Sequence, residues 1–407
     1  MSQRDHGKSV RFNSDSLKTA LRWLLRDCQW TGVTWRADCT WQSPRLLAIA
    51  ALMWAWSDET TVNDRFFAAR RIALHLFPQT QPVGNSYQGF IKLLRKWTDA
   101  LIAAVMAELH KRIVMTCGSC AEVAGFVLFA VDGSRAAVPR TQANERVFST
   151  KATRDKAKRR KKKNKKRTRR RRKNTDSNTK KSETPAMWLT VLWHVGSGLP
   201  WDWRLGPTDS SERSHWMEML GSINVPAMFV ADAGFVGYEY AAAVIGAGHQ
   251  LTIRVGSHVS LLRNLGCARE KANIVYLWPD KSAKRQGLPP LKFRLVESHN
   301  GKHPVYLITS VVDDTRLPDA QVLSIYKKRW GIELFYRHLK QTFGKRKLRS
   351  AAPAQAYVEM HWSLVGLCCM GVYSINQLKQ RGHDPSRLSF AKVIRAFRRM
   401  LRDYLHP

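Results

Sequence analysis

The chain has 407 residues, of which 44% are apolar, with a formal net charge of +37 and a pI near 10.5. The apolar content is enough for two or three folded domains, which excludes a wholly disordered chain, and the charge favours a polyanionic partner, nucleic acid before an anionic membrane. Since no run approaches the ~20 apolar residues that span a bilayer and no signal-peptide segment is recognisable, we expect a cytoplasmic protein with no membrane partner.

Seven cysteines are scattered through the chain, an odd number that fits reduced thiols better than a disulfide framework. Cys117 and Cys120 form a C-x-x-C pair, but no second pair of metal ligands accompanies it. A structural zinc site needs four ligands, so we interpret both residues as ordinary thiols.

The first part of the chain carries apolar residues at helical spacing. Segments such as PRLLAIAALMWAW and SYQGFIKLLRKWTDALIAAVMAEL keep this period between residue 15 and about residue 112, interrupted at Pro82 and Gly84. We predict a helical N-terminal region over residues 1–115.

The pattern changes at GFVLFAVDGS, residues 125–134. A short apolar and aromatic run closed by Asp-Gly is typical of a buried strand followed by a turn. It predicts that Asp132 stands at the end of a strand.

Residues 151–181 form a strongly basic tract, with nineteen Lys or Arg against two Asp. Such a block repels itself and buries nothing, so we expect it to be disordered when free. Without its charge of +17 the rest of the chain still carries +20, so the basic character does not depend on the tract. Two interpretations stay open: a solvated low-complexity insertion, and a sequence-independent contact to phosphates.

From residue 187 onward, apolar runs alternate with helix-like segments, the pattern of an α/β domain. The strand-like runs are MWLTVLWHV (187–195), AMFVADAGF (227–235), HQLTIRVGSH (249–258) and VYLITSVV (305–312). Residues 259–304 switch to short alternating runs, which indicates a β-rich insertion. A long helix, AQVLSIYKKRWGIELFYRHLKQTFG, and two further helices follow. We predict an α/β domain over residues 122–350 and a helical region over 351–407.

The long helix carries a polar stripe with one acid among bases. At 100° per residue, the side chains fall within about 60° of one another; they belong to Tyr326, Arg329, Glu333 and Lys340. A solvated amphipathic helix with intrahelical charge pairs would have the same composition. The alternative is a carboxylate that binds a divalent metal, flanked by groups that hold a phosphate.

One carboxylate cannot hold the metal pair of a phosphoryl-transfer site, whose ions lie ~3.5–4 Å apart and need several oxygen ligands. Asp132 and Asp232 each close an apolar strand-like run, where a rigid backbone would direct the carboxylate. Either one alone could be a turn or cap residue. The remaining acids considered stand in cap or turn contexts and rank lower: Asp209, Glu212, Asp313 and Asp314.

The spacing Tyr-x(2)-Arg-x(3)-Glu-x(6)-Lys, which begins at Tyr326, is the signature of the IS-four family of insertion-sequence transposases. With VDGS around Asp132 and ADAGF around Asp232, the chain resembles a DDE transposase of that family over about residues 125–350. The resemblance implies an RNase H-like α/β catalytic core, with the β-rich insertion between the second aspartate and the glutamate.

The resemblance also implies roles for six side chains. The catalytic and metal-binding triad would be Asp132, Asp232 and Glu333, and the contacts to the DNA backbone would be Tyr326, Arg329 and Lys340. The implied cofactor is a pair of Mg²⁺ ions, with Mn²⁺ able to substitute. The implied partners are double-stranded DNA of the transposon ends and of the target, and a second copy of the chain in a homodimer. The N-terminal helices resemble the family's end-binding region and the C-terminal helices its dimerisation region.

Two other functions stay open at this point. One is a nuclease of the same fold that cuts DNA without joining it. The other is a catalytically inactive, basic DNA-binding protein, whose DNA binding would survive loss of all three carboxylates.

The basic tract generates a prediction about salt dependence. Deleting residues 151–181 should flatten the fall of DNA affinity with salt, because each neutralised phosphate contributes ~0.9 to the log-log slope. Binding titrations at several salt concentrations measure this slope. Preference for the transposon end should stay unchanged, and its loss would show that the tract determines specificity.

Overall fold

The computed structural model describes residues 14–36, 38–41, 43–118, 122–150, 153, 155, 184–255, 273–299, 304–385 and 388–405. Cys120, residues 259–272 and 300–303 of the predicted insertion, and the basic tract apart from residues 153 and 155 lie outside this set. The chain divides into two compact units, one of residues 1–116 together with 354–407 and the other of residues 117–353.

The described residues form twelve α-helices and nine strands. The helices are α1 (Ser14–Leu25), α2 (Pro44–Trp56), α3 (Val62–Leu76), α4 (Tyr87–Cys117), α5 (Gln142–Phe148), α6 (Glu212–Leu220), α7 (Tyr238–Gly246), α8 (Lys281–Arg285), α9 (Asp319–Lys328), α10 (Trp330–Arg337), α11 (Pro353–Gln380) and α12 (Phe390–Leu405). The strands are β1 (Glu122–Val123), β2 (Phe126–Ala137), β3 (Ala186–His194), β4 (Leu199–Gly206), β5 (Ala227–Ala231), β6 (Gln250–Val255), β7 (Ile274–Leu277), β8 (Leu291–His299) and β9 (Pro304–Thr309).

The first unit is helical and contains both ends of the described chain. The indole of Trp56, at the end of α2, donates to the carbonyl of Gly366 in α11 at 3.0 Å. The indole of Trp362 donates to the hydroxyl of Thr98 in α4 at 3.1 Å. These buried bonds join the N-terminal and C-terminal helices in one core.

Of the helices that the structure describes, α11 is the one long and apolar enough to cross a bilayer. In its most apolar window, 83% of the helix is buried inside the protein. A core helix of a globular protein has the same length and composition, so this helix is weak evidence for a membrane.

The second unit is built on a nine-stranded mixed sheet with the order β4-β3-β2-β5-β6-β9-β8-β7, and β1 pairs with β2. Strands β2, β5 and β6 run parallel to one another, and the other pairings are antiparallel. Apolar clusters lie on both faces, since Phe129 and Val131 pack with Trp216 of α6 while Leu128 packs with Ile325 of α9. This architecture confirms the predicted α/β fold class.

The register of β2 and β5 aligns the two predicted aspartates. Val127 lies opposite Ala227, and the pairing continues to Ala130 opposite Val230. Extended by two residues, the same register places Asp132 level with Asp232 on neighbouring strands, which lie ~4.8 Å apart in a sheet.

Asp132 does not end its strand, so that prediction was wrong. Strand β2 continues to Ala137, because its antiparallel pairing with β3 runs on through Asp132 opposite Val191 and Gly133 opposite Thr190. What ends beside Asp132 is the neighbouring strand β5, whose last residue is Ala231.

The single long helix expected over residues 320–344 is divided into three helical segments. Helices α9 and α10 meet at Arg329, whose N–H donates to the Tyr326 carbonyl at 3.1 Å in a tightened turn. A π-helical segment, His338–Thr342, follows α10. Lys340 therefore lies in a wider turn than uniform helical spacing assumes.

A buried arginine connects β8 to the start of α9. Arg294 is 1% exposed, and its guanidinium donates to the carboxylate of Asp319 and to the carbonyl of Leu317. Because a buried charge is stable only when it is paired, this contact holds the first turn of α9 against the strand.

Helix α10 rests directly on a tryptophan of β3. A Cβ atom added to Gly331 would lie 2.1 Å from the ring of Trp193, closer than any real contact. The absent side chain therefore sets the distance between α10 and the sheet.

Gly331→Ala should destabilise the protein by about 1–3 kcal/mol, because the new methyl group overpacks this contact. The urea dependence of unfolding measures the change. Gly246→Ala is a matched control in α7, since nothing lies within 4 Å of its added Cβ, and we expect it to be neutral or stabilising. In a Trp193→Leu background the cost of Gly331→Ala should become smaller, and an equal cost in both backgrounds would contradict this contact.

Candidate active site

Asp132 and Asp232 are held by the same local geometry. The Oδ1 atom of Asp132 accepts the N–H of Gly133 at 2.9 Å, and Oδ1 of Asp232 accepts the N–H of Ala233 at 2.8 Å. Asp232 thereby caps the short 3₁₀ turn Ala233–Phe235. Each carboxylate is thus oriented by backbone that the strand and the turn make rigid.

Glu333 lies in the first turn of α10, where a buried arginine contacts it. Nη2 of Arg329 donates to Oε1 of Glu333 at 2.9 Å, and the Arg329 side chain is 9% exposed against 33% for Glu333. Among the described residues, the Nε atom of Arg329 is buried without a hydrogen-bond partner. The guanidinium therefore has donor capacity beyond its bond to Glu333.

Tyr326 and Arg254 approach the second aspartate. The hydroxyl of Tyr326 donates to Oδ1 of Asp232 at 3.4 Å, and Nη1 of Arg254 lies 4.0 Å from the same oxygen. Sequence reasoning missed Arg254, because its place beside Asp232 depends on the pairing of β6 with β5.

The charges of Asp232 and Glu333 affect the pKa of Asp132. Burial raises the pKa of Asp132; the N–H of Gly133 and the charge of Arg329 lower it, and the charges of Glu333 and Asp232 raise it further. The charges of Glu333 and Asp232 thus act on Asp132, which the register of β2 and β5 sets level with Asp232.

Lys340 belongs to the same region. Burial lowers the pKa of its ammonium group and the charge of Arg346 lowers it further, while the charge of Asp132 opposes both. Direct contacts join Tyr326 to Asp232 and Arg329 to Glu333. Lys340 is linked to these residues through the charge of Asp132.

The three acids do not already form a metal cage. Among the residues that the structure describes, no three His, Cys, Asp or Glu side chains stand close enough together to share a metal ion. The donor chemistry nevertheless fits Mg²⁺ or Mn²⁺, because both prefer carboxylate oxygen and a cation would offset the mutual repulsion of the acids.

Two residues near Asp132 were not predicted as site residues. The buried hydroxyl of Tyr336 donates to the Asp132 carbonyl at 2.6 Å. Its position on α10, three residues after Glu333 and beside the polar stripe, could have identified Tyr336 as a site residue from the sequence. Glu212 was ranked low because of its cap context. Burial raises its pKa, and the nearby charge of Asp132 raises that pKa further. In contrast, Asp313 bonds to the hydroxyl and N–H of Thr315, as expected of a turn residue.

The hydroxyl of Tyr336 should support the position of Asp132. We expect Tyr336→Phe to cost about 1–3 kcal/mol of unfolding free energy, because the buried carbonyl of Asp132 loses its donor. Chemical denaturation measures the loss. Tyr240→Phe is the control, since its ring stacks on Trp216 and the change keeps the ring; equal effects of the two substitutions would contradict a specific role for the Tyr336 hydroxyl.

Comparisons with known proteins found similar chains, which include the two described next. Transposase InsG for insertion sequence element IS4, from Escherichia coli strain K12, is 32% identical over 100 residues, which are 24% of this chain and 22% of that protein. The match thus spans about a fifth of the length of that relative. A solved piggyBac transposase synaptic complex with hairpin DNA has a TM-score of 0.46 and 11% identity, over 100% of this chain and 85% of that one.

The family model described as the transposase DDE domain matches residues 124–369, which is more than half of the chain. This range contains the three acids and the polar stripe, and it confirms the resemblance and the RNase H-like fold class drawn from them. The chain belongs to the transposase DDE domain family.

Proposed function

We propose that the chain is the transposase of an insertion sequence, which binds the ends of its element, cuts the DNA there and joins the freed 3′ ends to target DNA. Family membership supports the reaction class. The observation that carries the proposal is the alignment of Asp132 with Asp232 on β2 and β5, beside α10. Helix α10 carries Glu333, and its Tyr336 hydroxyl donates to the Asp132 carbonyl.

Asp132, Asp232 and Glu333 would hold a pair of Mg²⁺ ions, with Mn²⁺ able to substitute. When bound, such ions activate the attacking oxygen of water or of a 3′-hydroxyl and stabilise the leaving oxygen. The exchange of one phosphodiester for another needs no nucleotide cofactor.

The protein's own contribution is positioning. The backbone N–H groups of Gly133 and Ala233 orient the two aspartates before any ligand arrives. Arg329 keeps one side of Glu333 in place through its 2.9 Å bond. Groups fixed in advance require little reorganisation during the reaction.

The basic stripe would hold the scissile phosphate. Arg329 can donate to a phosphate oxygen from the same guanidinium that contacts Glu333, and Lys340 adds positive charge near Asp132. The hydroxyl of Tyr326, now 3.4 Å from Asp232, is a further donor at the same place. Contacts of this kind position the DNA backbone without reading its sequence.

The proposed partners are double-stranded DNA, at both the transposon end and the target, and a second copy of the chain in the active complex. The net charge of +37 supports a DNA partner. Such a protein would act in the cytoplasm, associated with DNA. The helical unit of residues 1–116 and 354–407 would supply end binding and dimerisation.

Glu333→Gln tests the triad. We expect DNA cleavage in Mg²⁺ to fall on the order of a hundredfold or more, because the amide keeps the size of the side chain and removes its charge. Cleavage of a labelled transposon end measures the loss. Glu218→Gln is the matched control, since Glu218 is an exposed acid of α6 and its side chain is 59% exposed. Full cleavage by Glu333→Gln would remove the triad assignment.

Joining separates a transposase from a nuclease of the same fold. With labelled ends and a target plasmid, a transposase yields covalently joined products, whereas a nuclease yields cut ends alone. DNA binding without any metal-dependent product would instead indicate an inactive DNA-binding protein. Short inverted repeats on both sides of the reading frame would favour the transposase.

A further inference from the structure

A short loop after the π-helical segment returns the chain to the sheet, and we call residues 343–348 the return loop. The N–H of Arg346 donates to the carbonyl of Lys340 at 3.1 Å. Gly344 permits this reversal, because its φ of +78° lies in the left-handed region that favours glycine. The backbone of Arg346 is thus fixed beside Lys340.

The return loop then pairs with the far end of β2. The N–H of Ala137 donates to the carbonyl of Arg346 at 2.9 Å, and the N–H of Leu348 donates to the carbonyl of Ala137 at 2.8 Å. These bonds form a parallel bridge between Ala137 and Lys347. Because Leu348 is also fully buried, the loop is held by a core side chain as well as by its backbone.

The bridge places Arg346 on the face of the sheet that carries Asp132. Paired residues of neighbouring strands direct their side chains to one face, and side chains alternate along each strand. Lys347 therefore shares the face of Ala137, while Arg346 and Asp132 share the opposite face. The loop meets β2 five residues beyond Asp132, which is about 17 Å along a strand.

Arg346 and Lys340 are neighbouring cations. Burial lowers the pKa of the Lys340 ammonium group and the charge of Arg346 lowers it further, while the charge of Asp132 opposes both. The side chain of Arg346 is exposed, and no acid in the part of the chain that the structure describes forms an ion pair with it. An anion between the two cations would remove their repulsion and accept hydrogen bonds from both.

The anion that fits this place is a phosphate of the DNA backbone. Each strand of a duplex carries one phosphate per about 3.4 Å of its axis, so the distance from Asp132 to the return loop corresponds to about five nucleotides. Arg346 lies on the same face of the sheet as Asp132. A DNA strand bound at Asp132 can therefore continue to the two cations.

We propose that Arg346, together with Lys340, binds a second backbone phosphate, within about five nucleotides of the phosphate that is cut. The role rests on the proposed function, since it requires that DNA is cut beside Asp132. Arg346 would fix the register of the strand in the active site without reading its sequence.

Duplexes in which one phosphate at a time is replaced by an uncharged methylphosphonate test the proposal without measuring activity. They carry the DNA that flanks the reading frame, and fluorescence anisotropy without metal gives their affinities. We expect one replacement, within about five nucleotides of the cut, to weaken binding by the wild-type protein about fivefold to tenfold. In Arg346→Gln the same replacement should cost nothing further, because the charge that pairs with this phosphate is already gone.

Lys347→Gln is the matched control, since it removes the same charge from the adjacent residue of the loop, on the other face of the sheet. It should keep the full effect of that methylphosphonate. Arg346→Lys retains the charge and should keep most of the effect. Far-ultraviolet circular dichroism and thermal unfolding check that each variant is folded, and wild-type protein in Mg²⁺ maps the cut on the unmodified duplex.

The contact would be established by a methylphosphonate whose effect disappears in Arg346→Gln and persists in Lys347→Gln. If no position behaves in this way while the wild-type protein cuts the duplex, the role of Arg346 is overturned and the proposed function stays intact. Such a position without any cutting in Mg²⁺ would keep Arg346 as a phosphate contact and count against the proposed function.

Discussion

The parallel pairing of β2 with β5 is the constraint on which the candidate active site depends. It places Asp132 and Asp232 at one level of the sheet although they are far apart in the chain. Because β5 stops at Ala231 while β2 continues, the sheet is open on one side of Asp132 at that level. Strand hydrogen bonds on the β3 side keep the backbone of Asp132 rigid, and the open side leaves room for ligands.

Helices α9 and α10 carry Tyr326, Arg329 and Glu333 to this opening, and each helix is fixed to the sheet by one specific contact. Arg294 fixes the start of α9, and the contact of Gly331 with Trp193 sets the distance between α10 and the sheet. Between these two anchors lies Arg329, a buried cation among several acids. Its charge offsets part of their repulsion in the absence of metal, which allows a concentration of negative charge that would otherwise oppose folding.

The sequence was sufficient for the fold class and for the residues with a fixed spacing. Tyr326, Arg329 and Glu333 share one helical stretch, so the period of a helix and the family signature identify them together. Glu212 was ranked low and Arg254 was not considered, because their positions depend on strand register and helix docking. Neither of these can be read from the neighbouring residues in the sequence. Non-local pairing also explains why β2 continues past Asp132, because its bonds to β3 outweighed the local Asp-Gly turn signal. In the same way, the contacts that unite the helices of residues 1–116 and 354–407 are non-local, so the sequence did not indicate one unit.

The helical unit is discontinuous in the chain, and this affects the order in which the protein can fold during synthesis. Residues 117–353 form their own compact unit and leave the ribosome before α11 is complete. The hydrogen bond from the indole of Trp56 to the Gly366 carbonyl, by contrast, cannot form until Gly366 has been synthesised, more than three hundred residues later. The sheet can therefore assemble first, while the early helices keep apolar surface uncovered until α11 has been translated.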